Sequence, residues 1–124
     1  MLADFIALTR SEPFEWGVND CALWCASAVR YETGFDPAGD LRGTYSTRVG
    51  CHRIIMAAGN LLNLISPRMT RLPDLDGDGV AVLRHDGRTL CGLILDGRAV
   101  LRMERGLRLA DDFTVLRGWS CRKR

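Results

Sequence analysis

Phe14-Glu15-Trp16-Gly17-Val18-Asn19-Asp20-Cys21-Ala22-Leu23-Trp24-Cys25-Ala26-Ser27-Ala28 is the stretch on which the fold turns. Two aromatics and a glycine precede a polar pair and a cysteine. Asn19 or Asp20 suits a helix N-cap, because its side-chain oxygen accepts from the first free backbone N–H groups. Residues 22–30 are small and apolar with neither Pro nor Gly, the composition of a buried helix. Cys21 then takes the first helical position. There the helix dipole and free N–H groups stabilise an anion and lower a thiol pKa. Cys21 is therefore a candidate nucleophile. The competing reading is inert packing, since free cysteine is among the most buried residue types. Cys25, one turn further on the same face, looks like that case.

Working outward, the helix runs to about Thr33 and stops at Gly34, a suitable C-cap. Before it, Leu2, Phe5, Ile6 and Leu8 alternate with polar residues and predict a short amphipathic helix, ended by Ser11-Glu12-Pro13. After it, residues 34–45 hold three glycines, a proline and two aspartates and read as a loop lining a site or an interface. Ser46 or Thr47 caps a third helix through Ala58. Residues 61–65 predict a short buried helix or irregular segment, and residues 68–78 a polar connector. The period then changes. Residues 80–84, 89–95 and 98–103 are short apolar runs separated by Asp86-Gly87 and Asp96-Gly97, strong hairpin signals. Residues 113–116 predict a fourth strand. Helices first and a meander afterwards make a single α+β domain over residues 1–124. In that arrangement the Cys21 helix packs on an antiparallel sheet, with Ala81 and Gly92 beneath it.

Composition narrows the function. Lys+Arg number 17 against 15 Asp+Glu, a net charge of +2, which argues against nucleic acid as partner. All the basic side chains except Lys123 are arginine. No apolar run approaches the roughly 20 residues of a membrane span, and no signal peptide is expected. Five irregularly spaced cysteines favour reduced thiols over a disulfide framework.

The segment Phe14-x-Trp16-Gly17-x-Asn19-Asp20-Cys21, followed by a small-residue helix, resembles the NlpC/P60-like group of papain-fold cysteine peptidases. It is most similar to small phage and prophage tail proteins of that group. Gly43-Thr44-Tyr45, Gly77-Asp78-x-Val80-Ala81-Val82, Gly92-Leu93-Ile94-Leu95-Asp96-Gly97, Gly106-Leu107 and Trp119 follow in the same order. The resemblance covers about residues 12–120. It implies a papain-like NlpC/P60-type domain, with N-terminal helices packed on a C-terminal antiparallel sheet.

A papain-type site needs a thiol, an imidazole and a group that orients the imidazole. The resemblance puts the histidine two positions before Gly92, where this chain has Leu90. The polar residue expected on the next strand falls in Val100-Leu101-Arg102. Two histidines exist. His52 reads as a helix-surface residue. His85 shares a face with Leu90 if Asp86-Gly87 is a two-residue turn, so it is either a substitute base or a solvated turn histidine. Asp74-x-Asp76-x-Asp78-Gly79 matches the front of an EF-hand loop, but the twelfth position is His85 instead of glutamate. The alternative is an acidic loop leading into a strand. Cys21-x-x-x-Cys25 has no recognised zinc spacing. Neither cofactor nor metal is expected.

The expected function is that of a phage tail-tip or baseplate assembly component with a degenerate peptidase fold. It would be made in a bacterial cytoplasm and incorporated in the virion tail. Its partners would be other tail-tip or hub proteins, bound through the 34–45 loop or the 122–124 tail, with the isolated domain monomeric or weakly associated. The alternative is an active peptidoglycan endopeptidase or amidase with Cys21 as nucleophile.

Overall fold

The structure is a computed structural model that describes residues 1–122. Lys123 and Arg124, the end of the basic tail, lie outside the described residues. Four α-helices and a 3-10 turn precede five strands: α1 (Leu2–Thr9), α2 (Cys21–Thr33), α3 (Arg48–Ala57), α4 (Leu61–Ile65), the turn Ser66–Met69, β1 (Gly79–His85), β2 (Arg88–Leu95), β3 (Arg98–Met103), β4 (Gly106–Ala110) and β5 (Thr114–Trp119). The fold is α+β, with one antiparallel sheet in the order β4-β3-β2-β1-β5.

α2 is bounded as its sequence dictates. Asp20 is extended and accepts from the Leu23 N–H, and Gly34 closes the helix in the left-handed conformation at φ 79°. Leu23, Trp24, Cys25, Ala26, Ala28 and Val29 are buried on it. α1 crosses α2 through Phe5 and Trp24, whose ring centroids are 5.5 Å apart. The Trp24 indole N–H donates to Thr9 Oγ1 at 2.9 Å, which satisfies the polar edge of a ring only 1 % exposed.

Both Asp-Gly pairs form two-residue turns, with φ of 51° and 71° at Asp86 and Gly87, and 52° and 77° at Asp96 and Gly97. Positive φ at both central residues is the conformation whose twist matches a hairpin. The first turn fixes Leu83 opposite Leu90, the expected register.

The helices cover one face of the sheet. Val80, Val82, Cys91, Leu93, Val100 and Trp119 meet α1 and α2 in the main core. The other face carries Ala81, Leu83, Ile94, Ala99, Leu101 and Ala110 and is covered by loop residues Leu75 and Phe113. Ala81 and Gly92 are register partners, but they face this second cluster and do not lie under α2. A Cβ on Gly92 would meet Leu101 Cδ2 at 2.7 Å and Leu83 Cδ2 at 3.1 Å. Close packing within the far face therefore explains the glycine, and helix approach does not.

Two further expectations are corrected. The meander has five strands, because Gly106–Ala110 forms an edge strand paired with β3. The final strand is Thr114–Trp119 and lies beside β1, on the opposite edge from β4. Phe113 precedes this strand and packs in the second core cluster. α3 buries none of its residues fully, and Val49 and Met56 on it are exposed.

The 34–45 segment is pinned down. Arg42 Nε donates to Asp36 Oδ2 at 2.8 Å, and the Ala38 N–H donates to Asp36 Oδ1 at 3.0 Å. Arg68 grips Asp40 with bonds of 2.5 and 3.1 Å.

Candidate functional site

The loop before α2 is built by two buried polar side chains. Asn19 accepts from the Glu15 N–H at 2.6 Å and donates to the Pro13 carbonyl at 2.5 Å, so it folds residues 13–19 around itself. Asp20 does more than cap the helix. Its Oδ2 accepts from the Gly17 N–H at 3.0 Å and from the Tyr45 hydroxyl at 2.5 Å. The Gly43 N–H donates to the Gly17 carbonyl at 2.9 Å. Gly17 itself is left-handed at φ 81°, and a Cβ there would stand 1.9 Å from the Tyr45 carbonyl oxygen. The Trp-Gly-x-Asn-Asp-Cys run and the Gly-Thr-Tyr run are therefore two halves of one clasp. Burial and the Asp20 hydrogen bond push the Tyr45 phenol well above its ordinary range.

This clasp places Cys21 on the wall of a cleft of about 560 Å3 that Phe14, Trp16 and Leu90 also line. The two aromatics meet edge to face, with ring centroids 4.9 Å apart. The cleft opens where β2 and β3 part: their ladder begins at Leu93 opposite Val100, leaving residues 88–92 of β2 and 101–103 of β3 unpaired with each other. Arg102 also lines the cleft, while Arg48, Arg88, Arg105 and Arg108 stand exposed around it. Another concavity, about 60 Å3 of almost wholly apolar space beneath α3 and α4, reads as loose packing of α3.

Cys21 sits at the expected helix N-terminus, but its thiol is not activated. Burial, followed by the neighbouring Asp20 charge, pushes it up from the ordinary 9.0 to about 11, against opposing contacts from the backbone of Cys91 and Ala22. The helix terminus does not overcome these two effects. Burial likewise pushes the Cys25 and Cys91 thiols well above the ordinary value.

Leu90, which stands where the resemblance expects a histidine, lines the same cleft as Cys21 and packs against the second core cluster. The residue there cannot take a proton. His85 is not among the residues lining the cleft. Its Nδ1 lies 2.7 Å from the Asp112 carbonyl oxygen, and its Nε2 is 3.4 Å from Asp86 Oδ2. The same Asp86 oxygen is 3.6 Å from Arg108, and His85 is the register partner of Arg88, so His85 stands behind two residues of the cleft wall. His52 lies on α3, outside the cleft.

The three aspartates before β1 have separate duties. Asp78 Oδ1 accepts from the Asp96 N–H at 3.0 Å and braces the second hairpin turn. Asp74 bridges to Trp119, and the Asp76 N–H donates to Ser120 Oγ at 2.9 Å. Among the described residues no cluster of three His, Cys, Asp or Glu side chains could hold a metal ion. No helix among them is long and apolar enough to cross a membrane.

The residue that sequence reasoning undervalued is Arg102. It is 2 % exposed, and its Nη2 donates to the Glu12 carbonyl, while Nε and Nη1 find no acceptor. A charge set inside the apolar run Ala99-Val100-Leu101-Arg102-Met103 was the available signal.

With this geometry in hand, one family model matches residues 1–121, described as "Domain of unknown function (DUF6950)". The chain belongs to that family. The match takes in the clasp, the cleft and all five strands of this family member. No curated protein and no solved structure matches the chain.

The raised thiol gives a prediction. Alkylation of Cys21 by iodoacetamide at pH 7.5 is expected to be slow, with a rate that climbs toward pH 11. Peptide mapping by mass spectrometry across pH 6–11 reads it. A plateau reached by pH 8 would show an activated thiolate instead.

Proposed function

We propose that this chain is a non-hydrolytic component of the tail tip or baseplate of a phage or phage-like particle, built on the layout of NlpC/P60 peptidases. The observation that carries the non-hydrolytic part is the content of the cleft. The thiol at the helix N-terminus shares the cleft with Leu90 and a buried arginine, and neither histidine of the chain lines the same space. A thiol titrating near 11 is ionised in roughly one molecule in 10⁴ at neutral pH. Losing a general base removes typically a further 10²–10⁴-fold in rate. The tail assignment is supported by the ordered motif resemblance and by the clasp, which gives the Trp-Gly-x-Asn-Asp-Cys residues a structural duty independent of catalysis. A fold of this kind persists without its chemistry when its surface still serves assembly.

The alternative, a peptidoglycan endopeptidase or amidase using Cys21, needs an imidazole from His85 after rearrangement or from another subunit. Incubating purified peptidoglycan with the wild type, Cys21→Ala and His85→Ala decides between them. No released muropeptides above the Cys21→Ala background is the expected result. Turnover lost in Cys21→Ala would overturn the proposal, and its loss in His85→Ala as well would name the base. Immunogold labelling of purified particles is expected to mark the tail tip, and labelling absent from particles would remove the tail assignment.

A further inference from the structure

We propose that the cleft between β2 and β3 is a receptor for an acidic peptide segment of a partner protein, with Arg102 as its buried anchor. The proposal rests on reading the cleft as a binding site and not a hydrolytic one.

The carrying observation is an uncompensated cation. Arg102 is held by the Glu12 carbonyl through Nη2, which fixes the guanidinium plane. Its Nε and Nη1 are buried, and they have no hydrogen-bond partner. Among the described residues it joins no ion pair. A buried guanidinium with orphan donors is costly to the free protein, and apolar replacements of such groups are often neutral or stabilising. A group kept at that cost is accounted for by an anion that arrives from outside.

The surroundings say which anion. The cleft lining holds five arginines against one acidic residue, Glu104. Arg108 alone of the four exposed ones is partly neutralised, by Asp86 at 3.6 Å. The resulting positive field steers and holds carboxylates. At about 560 Å3 the space is far larger than one oxyanion, and Phe14, Trp16, Leu90 and Met103 put apolar surface between the cations. Alternating cationic and apolar contacts suit a peptide, whose carboxylates and side chains follow one another along a backbone. Nε and Nη1 are shielded from solvent in the free protein, so the carboxylate reaches them only as the cleft lining shifts to admit it.

Trp16 lines the cleft, whereas Trp24 and Trp119 are each 1 % exposed, so tryptophan quenching reports occupancy of the cleft. The probe is a blocked peptide of alternating Glu and Gly, titrated beside its Gln counterpart. The Glu peptide is expected to bind at least about tenfold more tightly, with affinity falling as salt rises. Arg102→Met is expected to weaken it by about tenfold or more while leaving the thermal midpoint unchanged or higher. Should Arg102→Met fail to fold, Arg102→Lys, which keeps the charge and loses the planar fork, is expected to weaken binding several-fold. Equal binding of the Glu and Gln peptides would overturn the proposal. So would full affinity in the folded Arg102 variant. Displacement of the peptide by an equal concentration of inorganic phosphate, or tighter binding of a soluble muropeptide, would overturn the assignment to a protein segment. The titration measures binding alone, so it can fail while the peptidoglycan result stands, and the reverse.

Discussion

Asp20→Ala is expected to destabilise the protein by about 3–5 kcal/mol, combining the loss of a helix cap with two further hydrogen bonds to a buried carboxylate. Asp20 is 1 % exposed and accepts from Leu23 at 3.1 Å, from Gly17 at 3.0 Å and from Tyr45 at 2.5 Å. Alanine leaves two buried N–H groups and a phenol without their carboxylate partner and loosens the tie between Tyr45 and the start of α2. Urea unfolding reads the loss as a lower midpoint with an unchanged slope. A cost below about 1 kcal/mol would mean that water replaces the carboxylate, and the clasp would not be a stabilising unit. The milder Asp20→Asn has a second readout. Asp20's charge is one of the causes holding the Cys21 thiol up, so its removal should bring the alkylation profile to lower pH. The sign follows from linkage. A folded-state pKa raised to about 11 contributes stability that is complete below the ordinary 9.0 and is lost as pH rises through 11. Asp20→Asn should flatten that alkaline decline.

Gly17→Ala is expected to cost about 3 kcal/mol or more, the sum of a left-handed alanine and a forced displacement of backbone. At φ 81° the added Cβ would stand 1.9 Å from the Tyr45 carbonyl oxygen, which cannot swing aside as a flexible side chain can. Gly34→Ala is the matched control. It has nearly the same φ, 79°, and nothing within 4 Å of the added Cβ. It should cost only about 1 kcal/mol, the conformational part alone. The difference between the two midpoints isolates the close approach of the two loops. Equal costs would show that the approach is easily relaxed.

Much of this was legible from local chemistry. The Asp20 cap, the Gly34 stop and the two Asp-Gly turns each depend on a few adjacent residues, and the hairpin register follows from the turn. What stayed hidden depends on partners far along the chain. Gly106–Ala110 reads Gly-Leu-Arg-Leu-Ala, too short to announce a strand by itself, and it pairs because β3 offers a free edge. Leu109 on it is 64 % exposed, as suits an edge strand lacking a covered outer face. Ala81 and Gly92 looked like a helix platform because they are small, yet strand parity alone puts them with Leu83 on the opposite face from Val82. At the site, the place of Cys21 at the start of α2 was readable from the cap and the composition that follows it. Arg102 was visible only as a charge interrupting the apolar run of β3. Whether a charged residue in a strand snorkels out or stays inside is decided by the neighbouring strands, and its burial under the Glu12 carbonyl spans 90 positions of sequence.

The position of β5 has a consequence for how the protein is made. Val80, near the start of the sheet, pairs with Trp119, and Trp119 also sits in the main core with Trp24. On the ribosome α1 and α2 emerge long before the ring that completes their underside. Until residues 114–119 are released, β1 has one bare edge and the nascent helices have an open apolar flank. Synthesis stalled after Ala110 would expose both to chaperones and proteases, and a message cut short there should yield degraded chain instead of a trimmed, working domain.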